Sequence, residues 1–120
     1  MKKKTLVLGA SLKPNRYSNL AINRLNNYDH PVEAVGLRNG VVAGVDIATE
    51  KKSFENIHTV TLYLNPKRQE EYYDYIVSLK PQRVIFNPGT ENPTFYKILQ
   101  ENNIEVDVAC TLVLLASNQY

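Results

Sequence analysis

The chain has 120 residues, 43% hydrophobic and 22% charged, with 5 Gly and 6 Pro, which suffices for one domain with its own core. That composition excludes disorder, collagen-like repeats and low-complexity sequence. With 14 Lys and Arg against 12 Asp and Glu, the net charge of +2 is too near neutrality for a nucleic acid to be the main partner, whereas a small anion needs only a few local cations. No apolar run approaches the roughly 20 residues of a membrane span, so no membrane partner is expected. The basic start Met1-Lys2-Lys3-Lys4 leads into no signal-peptide cleavage pattern, and the single cysteine, Cys110, can form no internal disulfide. A cytoplasmic location is expected.

Thr5-Leu6-Val7-Leu8 is a continuous apolar run ending at Gly9-Ala10-Ser11, the pattern of a central strand buried on both faces of a parallel sheet. After a polar loop, Leu12 to Tyr17, the spacing of Ala21, Leu25 and Tyr28 predicts a helix with Ser18 as its N-cap, stopped by Asp29-His30-Pro31. Val32 to Val35 reads as a second strand closing at Gly36. The stretch carrying Gly40 and Gly44 reads as a tight turn and a short irregular extension.

A third strand is predicted over residues 59–64, broken by Asn65-Pro66, with Pro66 suited to a first helical turn. Gln69, Tyr72, Tyr73, Ile76 and Val77 then form the inner stripe of a helix whose wet face holds Glu70, Glu71 and Asp74. Arg83 to Phe86 is a fourth strand, Asn87-Pro88-Gly89-Thr90 a turn, and Asn92-Pro93 opens a helix with Phe95, Ile98 and Leu99 inside. Asn102-Asn103 supplies the left-handed residue that ends it, and Ile104 to Val108 is a fifth strand. The apolar tail from Cys110 to Ser117 packs as a short closing helix or extended segment.

Strands alternating with helix-length segments predict a single α/β domain over residues 1–120. The expected architecture is Rossmann-like: a five-stranded parallel sheet, order 3-2-1-4-5, with helices on both faces and right-handed crossovers. Ligands of such sheets sit beyond the carboxyl ends of the strands, where strand order reverses. The unusual residues cluster there: Gly9-Ala10-Ser11, Gly36-Leu37-Arg38, Asn65-Pro66, Asn87 to Thr90 and Ala109-Cys110 all follow strands.

The loop from Gly9 to Ser18 holds a tight-turn glycine, two serines, Lys13 and Arg16 ahead of a helix start, which are the parts of a phosphate site. The bland alternative is a solvated loop with a capping serine. Gly9 is the only glycine in it, so the G-x-G-x-x-G of dinucleotide enzymes is absent. An acidic residue after strand 2 would hold the ribose hydroxyls of NAD, but Arg38 stands there. It suits a phosphorylated ribose, as in NADP or CoA, or an exposed arginine with no ligand. Asn87 to Asn92 can line a pocket or serve only as turn and helix cap. Cys110 is either packed or within reach of a ligand thiol. Neither His30 nor His58 stands in a pattern that marks a nucleophile, a metal ligand or a phosphorylated intermediate.

Taken together, the strand ending in Gly9-Ala10-Ser11 with Arg16 and Ser18 behind it, Tyr63-Leu64-Asn65-Pro66, Arg83 to Asn92 and Ala109-Cys110-Thr111 resemble the small stand-alone CoA-binding proteins of bacteria. The fold of that family is similar to the nucleotide-binding domain of the succinyl-CoA synthetase α subunit, and the resemblance covers nearly the whole chain. It implies that Gly9, Ala10, Ser11, Lys13, Arg16 and Ser18 form the loop that holds the ADP phosphates of CoA or acyl-CoA, with Arg38 near the ribose phosphate. It further implies Asn65 and Pro66 at the adenine, Pro88 and Gly89 along the pantetheine path, and Cys110 as part of a terminal motif near the thiol. Many relatives carry Asn-Pro after strand 2, where this chain has Gly36-Leu37-Arg38. The segment bearing the synthetase's phosphorylated histidine has no counterpart here. A non-catalytic CoA-binding or CoA-sensing module, or a detached domain acting with an unidentified protein partner, is therefore expected ahead of an NADP-linked reductase, an acyl-CoA-transforming subunit or a structural scaffold.

Overall fold

The computed structural model describes residues 2–120. A strand at the centre of a parallel sheet must be apolar on both sides, and β1 (Thr5–Ala10) meets that demand, with Leu6, Val7 and Leu8 fully buried. It pairs in parallel with β2 (Val32–Gly36) on one side and β5 (Thr59–Leu62) on the other. β6 (Arg83–Phe86) and β7 (Glu105–Val108) extend the sheet in parallel beyond β5. Beyond β2 lie β4 (Val45–Ala48), parallel to it, and β3 (Gly40–Val42), antiparallel to β4 and at the edge. The order is β3-β4-β2-β1-β5-β6-β7.

Seven strands therefore replace the five expected, and the expected order 3-2-1-4-5 is corrected with them. The segment read as an irregular extension is a hairpin. Its two-residue turn, Ala43-Gly44, takes φ of 51° and 78°, the pair of left-handed residues that a tight hairpin needs. β4 then occupies the place beside β2, and Thr59–Leu62, the expected third strand, falls on the other side of β1. Strand order still reverses at β1.

Alternation along the strands sends side chains to two faces. Leu6 and Leu8 join Val60, Leu62, Val84 and Phe86 beneath Ile76 of α3 (Tyr73–Leu79) and Phe95 and Leu99 of α4 (Pro93–Glu101). Val7, Ala34 and Ile47 lie on the other face beneath Ile22 and Leu25 of α1 (Tyr17–Asn27) and Leu115 of α5 (Thr111–Ala116). Each of the Val, Leu, Ile and Phe side chains among them contributes about 1.5–3 kcal/mol relative to exposure. Helices thus cover both faces, and no helix among the described residues is long and apolar enough to cross a membrane.

Two local expectations are corrected. Ser18 does not cap α1; the N-cap is Arg16, and Ser18 is buried inside the first turn. The helix expected after β5 is also broken, into α2 (Pro66–Gln69), a 3-10 turn (Glu70–Tyr72) and α3. The tighter 3-10 spacing shifts the stripe, so that Tyr75 becomes the buried tyrosine while Tyr72 and Tyr73 are half-buried against the same core.

Candidate functional site

Two glycines let the strand ends converge. Gly9 has φ +95°, and a Cβ there would lie 3.0 Å from the carbonyl carbon and oxygen of Tyr63 at the end of β5. A Cβ on Gly36 would lie 2.3 Å from the Ala10 carbonyl oxygen. Only residues without side chains allow β1 to close on both neighbours here. The loop beyond is ordered by its own hydrogen bonds: the Lys13 N–H donates to Ser11 Oγ at 3.1 Å, and the Arg16 N–H to the Lys13 carbonyl at 3.1 Å. Asn19 Nδ2 donates to the Ser11 carbonyl at 3.0 Å. No side chain caps α1, and no acidic residue stands in its first turn. Its positive end is therefore left for another acceptor.

A cleft of about 690 Å³ opens at this point. Gly9, Ala10, Ser11, Lys13, Arg16, Ser18, Arg38, Asn65, Pro88 and Gly89 line it, so loops distant in sequence meet around one volume. Pro66 and Cys110 stand outside its lining. Asn65 Oδ1 accepts the Arg68 N–H at 2.9 Å and caps α2, with Pro66 in the first turn as expected. Cys110 is a half-buried free cysteine at the start of α5. The cleft also gathers Arg68 and Tyr72, which sequence reasoning missed as site residues, and Tyr17, Leu37 and Tyr63 from segments it had already placed at the ligand end without giving these side chains a role. The Asn65 cap signals only that Arg68 falls in the first turn of α2; that this turn faces the cleft follows from packing and not from the sequence pattern.

The charge of the lining is one-sided. Lys13, Arg16, Arg38 and Arg68 contribute, and none of the lining residues is Asp or Glu. Tyr17 and Leu37, 71% and 72% exposed, add apolar surface at the mouth. Burial pushes the Tyr63 phenol up to about 12, an effect that the nearby Thr61 and Thr111 hydroxyls partly offset. Tyr63 therefore stays neutral at physiological pH; the Thr61 and Thr111 hydroxyls stand near its buried hydroxyl, but among the described residues none meets it in full hydrogen-bond geometry. Burial, then Glu71, raises Tyr72 as well.

Buried amides brace the far wall. Gln69 is fully buried; its Nε2 donates to the carbonyls of Leu64 and Thr90, each at 2.8 Å, and its Oε1 accepts from Asn92 Nδ2 at 2.9 Å. Asn87 Nδ2 donates to Thr61 Oγ1 at 2.7 Å and to the Leu62 carbonyl at 2.9 Å, while its Oδ1 accepts the Thr111 N–H at 2.9 Å. Between these braces runs a turn closed by the Thr90 N–H on the Asn87 carbonyl at 3.0 Å, with Pro88 and then Gly89 (φ +93°) at its centre, the residue order of a type II turn. Asn92 also accepts the Phe95 N–H at 3.2 Å, capping α4. No group of three or more His, Cys, Asp or Glu among the described residues is placed to hold a metal ion.

A family model described as a CoA binding domain matches residues 3–116. The chain belongs to the CoA binding domain family. No curated protein matches the sequence. A solved structure of an uncharacterized protein is 49% identical and superposes with a TM-score of 0.97, covering 100% of this chain and 99% of its own. A Thermus thermophilus protein, 22% identical, reaches 0.87 over 99% of this chain and 91% of its own. A hypothetical protein from Pyrococcus horikoshii OT3, 23% identical, also reaches 0.87, over 98% and 84%. At such identities the two likenesses show the fold alone, as this CoA binding domain shares it.

Proposed function

We propose that this member of the CoA binding domain family is a non-catalytic module that binds CoA or an acyl-CoA in the cleft at the carboxyl ends of β1, β2, β5 and β6. The observation that carries it is the lining: Lys13, Arg16, Arg38 and Arg68 surround the cleft without a carboxylate among its lining residues, where strand order reverses. The open end of α1 and the cations beside it hold the diphosphate, and Arg38 serves the ribose phosphate. Asn65, with Pro66 behind it, flanks the adenine at the mouth, where Tyr17 and Leu37 offer apolar contact. The pantetheine arm runs toward Pro88 and Gly89, and Cys110 lies beyond the cleft lining, toward the thiol end. A module of this kind acts with a protein partner that reads its loaded state.

Calorimetric titration of the purified protein with CoA, acetyl-CoA, NADPH, NADH and ADP, together with an assay for acyl-CoA turnover, tests this reading. Selective binding of CoA or acetyl-CoA without turnover is expected. Preference for NADPH, which Arg38 would also accommodate, or turnover of any of these ligands contradicts it.

A further inference from the structure

Three aromatic side chains line the cleft, Tyr17, Tyr63 and Tyr72, and they are held very differently. Tyr17 is largely exposed, so it would lose rotamer freedom on gripping a ligand. Tyr63 packs into the core beneath α1 and α5, where its hydroxyl is buried. Tyr72 is half-buried and held from outside the cleft: Lys51 Nζ lies 5.0 Å from its ring centroid while donating to the Glu71 carbonyl at 2.7 Å, and the Tyr75 ring tilts against it at 6.4 Å. Tyr75 is fixed in turn, its hydroxyl donating to the Lys52 carbonyl at 2.6 Å. Neither Lys51 nor Tyr75 is among the lining residues, so both support the ring without filling the cleft.

The break in the helix after β5 brings this ring to the cleft. Tyr72 closes the 3-10 turn with φ −104° and ψ −3° and leaves the inner stripe that a continuous helix would have given it. Arg68, one helical turn earlier, lines the cleft as well and is near enough to act on the Tyr72 phenol. Because β2 and β5 flank β1, Arg68 and Tyr72 stand on one side of the loop after β1, and Leu37 and Arg38 on the other. Each side offers an apolar surface and a guanidinium, which is the chemistry of a nucleotide: a flat base for the one and phosphate for the other.

On the reading of this cleft as a CoA site, we propose that Tyr72 is the platform on which the adenine stacks, with Arg68 beside it meeting a phosphate of the same nucleotide. A ring already held by its neighbours loses little side-chain entropy on binding, an advantage that Tyr17 lacks.

Intermolecular NOEs between CoA and isotope-labelled protein, together with calorimetry of Tyr72→Phe and Tyr72→Leu, test the proposal. NOEs from the adenine ring protons to the Tyr72 ring are expected. Tyr72→Phe keeps the platform and should bind CoA within about twofold of the wild type, whereas Tyr72→Leu should bind it about tenfold more weakly, the effect of one modest base–aromatic stack. Adenine NOEs to Tyr17 and none to Tyr72, equal affinity in the wild type and Tyr72→Leu, or an equal loss in both variants would overturn the platform. Failure of the wild type to bind CoA would instead overturn the reading of the cleft as a CoA site.

Discussion

Two clefts of nearly equal volume, about 690 Å³ and about 670 Å³, are built around the same sheet with opposite charge. The larger lies at the carboxyl ends of the central strands and is lined by Lys13, Arg16, Arg38 and Arg68. The smaller lies along the β3–β4 hairpin, where Glu33, Asp46 and Glu50 outnumber Lys52. Volume alone would not separate them. Position and backbone do: the cationic cleft has glycines that admit close strand contacts, an uncapped helix end and walls tied by buried amides, whereas the acidic one follows a short edge hairpin. The Lys4–Glu33 ion pair beside the hairpin, at 3.5 Å and partly exposed, contributes little to stability.

Breaking the braces should have the largest effect. Gln69→Leu leaves the Leu64 and Thr90 carbonyls and the Asn92 amide without their partner, and should cost about 3 kcal/mol in urea unfolding. Glu50→Ala on the acidic cleft should change stability by less than about 0.5 kcal/mol. Equal costs would mean that the two walls are equally rigid. The glycines sharpen the same contrast: Gly36→Ala must push against the Ala10 carbonyl and should cost about 3 kcal/mol, whereas Gly44→Ala meets no described atom within 4 Å beyond its own chain neighbours and should cost about 1 kcal/mol from its φ of +78° alone.

Next in size are the ligand contacts. Arg16→Ala and Arg68→Ala should each weaken CoA binding by about 1.5–3 kcal/mol in calorimetry if each bonds a phosphate, while Glu33→Gln and Glu50→Gln should leave it unchanged. A loss from the glutamate substitutions would move the ligand to the hairpin.

The smallest effect belongs to the opposite end of the sheet. Burial lowers His30 below its ordinary 6.5, with Lys2 and Lys3 adding to the fall, and burial followed by Arg83 lowers His58. His30 Nδ1 also accepts the Lys3 N–H at 3.0 Å, which requires the neutral ring. The unfolded chain thus binds more protons than the folded one as pH falls through 6.5, so stability declines from there toward the lowered folded values. Thermal unfolding between about pH 7.5 and about pH 5.5 should show a decline in Tm that is shallower in His30→Asn. An identical slope in that variant would remove His30 from the effect.

The contrast between the clefts was only partly legible in the sequence. Continuous apolar runs such as Leu6-Val7-Leu8 and Val84-Ile85-Phe86 marked the buried strands, because burial on both faces leaves no polar alternation to confuse with a helix. The hairpin was hidden: β3 and β4 are too short for periodicity, and Ala43-Gly44 lacks the Asn-Gly or Asp-Gly that would have announced the turn. Missing it misplaced the third strand. In the site, the loop after β1 and Arg38 could be nominated because they directly follow strands. Arg68 could not, since its approach to the cleft depends on how α2 and the 3-10 turn pack, as does the role of Gln69, which read simply as one member of an inner stripe.

Titration of isotope-labelled protein with CoA, followed by amide NMR shifts, tests most directly which cleft takes the ligand. Shifts concentrated in residues 9–18, 36–38, 63–68 and 89–91, with the hairpin amides of residues 40–50 unmoved, are the expected result. Shifts centred on the hairpin, or none at saturating CoA, would contradict it.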